Sequence, residues 1–224
     1  MTSSMIWIVM IAVMVLSMFI QARLKSRFEK YSEVPTGLSG AEVAQRMLQA
    51  HGIHDVNIVS IEGTLTDHYN PQTKTVNLSH DVYYGRNVAA AAVAAHECGH
   101  VVQHATGYGP LKLRTAMVPV LTFTNSWISW VLLAGLFLYQ VFPSLLWIAI
   151  GMFALSTVFS FVTLPVEMNA SARAVEWLDT AGVVGYETKP MAQDALKWAA
   201  YTYVIAAIGS LATLLYYISI ARRR

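Results

Sequence analysis

Charged side chains are missing from three long stretches of this chain, and no other feature constrains its fold as strongly. None occurs in residues 1–22, none in the 52 positions of 115–166, and none in residues 198–221. A bilayer's hydrocarbon core takes a helix of about 20 apolar residues, because backbone polar groups in lipid must be satisfied within the segment itself. The first and last stretches each hold one such span. The middle stretch holds two, parted by a turn at Tyr139-Gln140-Val141-Phe142-Pro143-Ser144. Four transmembrane helices are therefore expected near 5–22, 117–139, 144–165 and 199–220, with Pro119 and Pro165 at helix ends, where a missing N–H costs least. A hydrophobic share of 55% against 12% charged excludes a disordered chain and an ordinary soluble enzyme. A net charge of +2 gives no footprint for nucleic acid. A single cysteine excludes an intramolecular disulfide and a Cys-rich zinc finger.

A cleaved signal peptide carries its positive charge before the apolar core. Here Arg23, Lys25, Arg27 and Lys30 follow it. Residues 1–22 thus read as a retained anchor with its N-terminus outside and residues 23–114 in the cytoplasm. Four spans put both polar segments on one side, with nine Lys/Arg in 23–114 and three in 166–197. Arg222, Arg223 and Arg224 run against this orientation, and a last helix lying in the interface would remove the conflict. The spanning arrangement is the expectation. The chain then divides into an anchor (1–22), an α+β segment (23–115), a transmembrane hairpin (116–165), a helical segment (166–198), and a final span with its basic tail (199–224).

Within the polar segments, Ser39 followed three residues later by Glu42 predicts a capped helix with an apolar stripe of Val43, Met47 and Leu48, ending at Gly52. Val56–Ile61 and Lys74–Leu78 alternate with period two and predict a short antiparallel sheet, with a turn at Asp67–Pro71 between them. Ser79 and Asp81 signal a helix start, and the alanine-rich run from Asn87 to about Ala105 is strongly helix-forming.

That last helix carries His96-Glu97-Cys98-Gly99-His100. Residues i and i+4 share a helix face, so both imidazoles can address one metal ion, with Glu97 one step round. Zinc lowers the pKa of a bound water from about 16 to about 7, and a carboxylate beside it can take the proton and pass it to a leaving amine. Catalytic zinc has three protein ligands and an open place. Glu167, the first charged residue after the long apolar block, is the candidate third ligand, since the hairpin returns it to the cytoplasmic face. The alternative is an acid capping a helix N-terminus. His104 continues the series, but lies about 6 Å further along the axis than His100 and belongs beside the site or at the surface. Cys98, on the opposite side from His96, belongs in the core. His68 and His80 are candidates to line a cleft.

On these residues the chain resembles the YugP-type neutral zinc metallopeptidases, small bacterial membrane proteins. The resemblance runs through the anchor, Thr66-Asp67-His68-Tyr69-Asn70-Pro71, Leu78-Ser79-His80-Asp81-Val82-Tyr83, the stretch from Val93 to Ala105, and Leu164-Pro165-Val166-Glu167-Met168-Asn169-Ala170-Ser171. More distantly the chain is similar to HtpX-type membrane proteases and CAAX prenyl proteases, which join H-E-x-x-H to a later E-x-x-x-D. The glutamate of that motif is a zinc ligand, which by resemblance falls on Glu167. The chain departs from the pattern at Ser171, so Asn169 and Ser171 stand as alternatives for the lost aspartate's hydrogen bonding.

The combined expectation is a mainly α membrane protein with four transmembrane helices and a cytoplasmic, zincin-like α+β catalytic segment. It would be a gluzincin-type metalloendopeptidase of a bacterial cell membrane, with one zinc ion per chain. Its partners would be a polypeptide substrate, the lipid bilayer, and a membrane-protein adaptor or oligomer, with no nucleic acid. Lys74–Leu78 would receive substrate as an added strand if it is an edge, and would be an ordinary internal strand otherwise. Two rivals differ in kind. A site-2-type intramembrane protease would take Asp179 as its third ligand, and a scaffold would hold zinc without hydrolysis.

Overall fold

The computed structural model describes residues 3–223, with side chains from 7 to 222. Met1, Thr2 and Arg224, and with them the start of the anchor and the end of the basic tail, lie outside the described residues. The chain runs α1 (Ser3–Ser32), α2 (Gly40–Ala50), β1 (Asn57–Ile61), β2 (His68–Asn70), β3 (Thr75–Ser79), α3 (His80–Tyr84), α4 (Val88–Ala105), α5 (Gly109–Phe137), α6 (Pro143–Thr180) and α7 (Lys189–Arg223). Helices α1, α5, α6 and α7 are each long and apolar enough to cross a membrane. They extend well past the charge-free stretches, because helical propensity and hydrogen bonding do not stop where hydropathy does. Pro119 and Pro165 sit inside α5 and α6, not at helix ends. Proline is tolerated within apolar helices where neighbours re-satisfy the freed backbone groups.

The fold divides into two units. The first comprises Met1–Phe19, Lys112–Leu164 and Thr202–Arg224. Its helices meet through the contacts that remain effective without a hydrophobic driving force, namely small residues and interhelical hydrogen bonds. Gly135 lets α5 lie against the backbone of Leu146 on α6, where a Cβ would come within 2.8 Å. Thr157 and Ser210 join α6 to α7 through their hydroxyls at 2.8 Å, and Ser156 donates to Asn125 Oδ1 at 3.2 Å across α6 and α5.

The second unit, Ile20–Leu111 with Pro165–Tyr201, holds the sheet and α4. Ser39 and Glu42 form the expected capping box at the start of α2, and Val43, Met47 and Leu48 are buried against α4. Asn87 caps α4 by accepting from the Ala90 amide at 2.8 Å. The sheet differs from expectation in two respects. The segment read as a turn contains the short strand β2, antiparallel to β3, and β1 pairs with β3 in parallel. The strand order is β1-β3-β2, so β3 is internal and cannot accept an added strand. Alternation identified the strands, but partner and direction depend on contacts between segments remote in sequence. Val76 and Leu78 of β3 are fully buried.

Candidate metal centre

At about 100° per residue, α4 presents three distinct faces. His96, Gly99, His100 and Gln103 follow i, i+3, i+4, i+7 spacing and share one face, which lies against α6. Gly99 makes that approach possible: a Cβ there would stand 2.6 Å from the backbone oxygen of Ala170. Cys98 points to the opposite face, fully buried, its Sγ 3.6 Å from the Ala44 carbonyl of α2. Burial there pushes the thiol pKa far up, so it is an inert core residue. Glu97 and His104, seven positions apart, share the third face, which Tyr69 of β2 covers. The Tyr69 amide donates to Glu97 Oε2 at 3.0 Å, and its hydroxyl meets His104 Nδ1 at 3.0 Å.

The close α4–α6 contact brings a carboxylate to the paired imidazoles. Glu167 is buried, with Oε2 3.2 Å from His96 Nε2 and 3.4 Å from His100 Nε2. The ligating atoms of these three residues lie within 4.8 Å of one another. With bonds of about 2.0–2.2 Å, the edge of a zinc tetrahedron is roughly 3.3–3.6 Å. The 3.4 Å separation falls in that range and the 3.2 Å separation lies just below it. Two nitrogens and one carboxylate oxygen are also the donor set that catalytic zinc takes. The residues present therefore fit a zinc ion.

Behind this three-residue cluster, His96 Nδ1 meets the Ser171 hydroxyl at 3.1 Å. His100 Nδ1 meets Gln103 Oε1 at 3.0 Å, and Gln103 Nε2 donates to the Val166 carbonyl at 2.7 Å and to Asn169 Oδ1 at 3.0 Å. Arg173 Nε donates to the same Asn169 oxygen at 2.8 Å. Ser171 thus touches a histidine directly, while Asn169 reaches the other through Gln103. Burial alone would lower the His100 pKa, but the neighbouring Glu167 and Glu97 carboxylates and Gln103 raise it overall.

The remaining candidates lie elsewhere. His68, on the exposed edge, has Nδ1 2.8 Å from the Thr66 carbonyl and Nε2 3.2 Å from Asn77 Nδ2. His80 opens α3 beside Asp81, its ring tilted at 52° against that of Tyr84. His104 is held by Tyr69 and is outside the three-residue group. Asp179, the rival third ligand, pairs with Lys189 at 2.6 Å, twelve residues and about 18 Å along α6 from Glu167. Sequence reasoning missed Gln103 and Tyr69. Gln103 carried a usable signal, a polar residue on the helix face shared by both histidines. Tyr69 fell in a segment read as a turn.

A family model described as "Putative neutral zinc metallopeptidase" matches residues 6–222 of the chain. A protein of Bacillus subtilis (strain 168) described as "Putative membrane protease YugP" is 41% identical over 212 residues, covering 94% of this chain and 93% of that protein. No solved structure matches.

Proposed function

The chain belongs to the neutral zinc metallopeptidase family, and we propose that it is a membrane-bound, zinc-dependent endopeptidase acting on membrane or membrane-proximal polypeptides. One observation carries this reading: two Nε2 atoms, on successive turns of α4, converge on a single oxygen of the buried Glu167. Two Nε2 atoms facing one carboxylate oxygen need either protons of their own or a cation between them, and for this His₂Glu donor set that cation would be zinc. His96, His100 and Glu167 would hold one zinc ion per chain, and that ion supplies Lewis acidity, polarising a peptide carbonyl and making water a nucleophile near neutral pH.

Glu97 is the general base. It takes the proton of the attacking water and delivers it to the departing amine nitrogen. The Tyr69 amide holds Oε2 of that carboxylate and so orients its other oxygen. Gln103 and Ser171 hold the two imidazoles from behind. Water adds to the peptide carbon, the C–N bond breaks, and the products are a carboxylate and an amine. The excess of Lys/Arg in the two polar segments supports an active site on the cytoplasmic side. Insertion in the bilayer through the four apolar helices is supported by their length and hydropathy, and a bacterial cell membrane by the source of the similar protease. A membrane-protein adaptor or oligomer remains the proposed protein partner.

The deciding experiment compares wild type with Glu97→Gln on an unfolded polypeptide. The variant should keep zinc and lose proteolysis by about 10²–10⁴-fold. Equal behaviour on every substrate and in cells would favour the scaffold instead.

A further inference from the structure

Gln103 is fully buried, and no chemical step requires it. Its contacts fix which way its carboxamide points. The Val166 carbonyl only accepts hydrogen bonds, so the group 2.7 Å from it is the amide NH₂. That NH₂ also reaches the Asn169 side chain at 3.0 Å, on the atom that Arg173 Nε approaches to 2.8 Å. Arg Nε only donates, so this Asn169 atom is oxygen. With its nitrogen committed twice, Gln103 turns its oxygen toward His100 Nδ1 at 3.0 Å. An amide oxygen only accepts, so Nδ1 carries the proton. A neutral His100 then keeps its lone pair on Nε2, the atom that faces Glu167. His96 has no such constraint, because the Ser171 hydroxyl at its Nδ1 can donate or accept.

We propose that Gln103 is a positioning residue that locks His100 in its Nε2-ligating tautomer, with the Arg173–Asn169 pair as its anchor on α6. The proposal rests on the zinc reading above. It explains why an amide stands where a carboxylate would also accept from the imidazole. Only a fork with one acceptor and one donor arm can hold the ring and also bond the carbonyl adjacent to the third ligand. The same side chain therefore sets both the state of one ligand and the spacing to another.

The test uses the full chain in detergent. Zinc affinity is measured by competition with a chromophoric chelator, and the histidine ring nitrogens of the zinc-free protein are read by ¹⁵N NMR at alkaline pH. Gln103→Met keeps the length and removes both polar arms. It should weaken zinc about 10–100-fold and turn the His100 signature from a single tautomer into a mixture. Asn169→Asp keeps the acceptor for Gln103 and Arg173 and should preserve the single His100 tautomer and bind zinc more tightly than Asn169→Leu, which removes that acceptor. Wild-type zinc affinity and an unchanged His100 tautomer in Gln103→Met would overturn the proposal. If that variant fails to fold, equal affinities and unchanged His100 signals in the two Asn169 variants overturn it. A wild type that binds no zinc overturns the metal reading and this one together.

Discussion

Gly99→Ala tests how the centre is assembled. The added Cβ would lie 2.6 Å from Ala170 O and 3.1 Å from Ala170 C, where ordinary contact begins at 3.4 Å. Both opposing atoms belong to the backbone, so no side-chain rotation relieves the overlap, and Ala170→Gly would not rescue it. The helices must part locally by about 0.8 Å to restore contact distance. Zinc ligation tolerates about 0.2 Å. Overpacking of this kind costs about 1–3 kcal/mol, a fall in Tm of roughly 2–12 °C for a chain this long. The larger effect should fall on the metal, because His96 and His100 flank Gly99 while Glu167 moves with Ala170. Zinc affinity should drop by about tenfold or more, with proteolysis falling in parallel. Calorimetry of the zinc-free protein and chelator competition measure the two effects separately. An alanine variant with wild-type Tm and wild-type zinc affinity would refute the close-packing argument.

Glu167→Ala should abolish tight zinc binding while Asp179→Ala leaves it intact. The reverse result, read by metal analysis of purified protein, would restore the site-2-type alternative. Tyr69→Pro removes the amide that holds Glu97 and should lower kcat with zinc content unchanged, whereas Tyr69→Phe keeps that amide and isolates the His104 contact. Equal kcat in the proline variant and wild type would show that β2 does not orient the base. The pH dependence follows from His100, whose pKa in the fold lies above the ordinary 6.5. In the zinc-free chain its proton stabilises the folded state below that ordinary value, and the contribution is lost as pH rises through the higher folded value. Zinc requires the deprotonated ring. The rise in Tm on adding zinc should therefore be small in acid and grow across that window, and a zinc-induced shift that does not vary with pH would contradict it.

Local chemistry made much of this protein legible in the residues alone. Charge-free stretches mark apolar helices because lipid rejects unpaired polar groups. Ser39 with Glu42, and Asn87 before an alanine-rich run, mark helix starts because the caps act within a single turn. The H-E-x-x-H spacing puts two imidazoles on one face by helix geometry alone, and Glu167 stood out as the first charge after 52 positions without one. Other features depended on contacts between segments far apart in the chain. Lys74–Leu78 read as a strand, but only packing decided that it would be internal, parallel to β1 on one side and antiparallel to β2 on the other. Tyr69 in β2 reaches Glu97 across 28 positions, and Gln103 reaches Val166 across 63. No periodicity records such a pairing. Helix faces and caps are set by neighbours within a turn, whereas the distance from Glu167 to the two histidines is set by how closely α4 and α6 pack, and that rests on the missing side chain at Gly99.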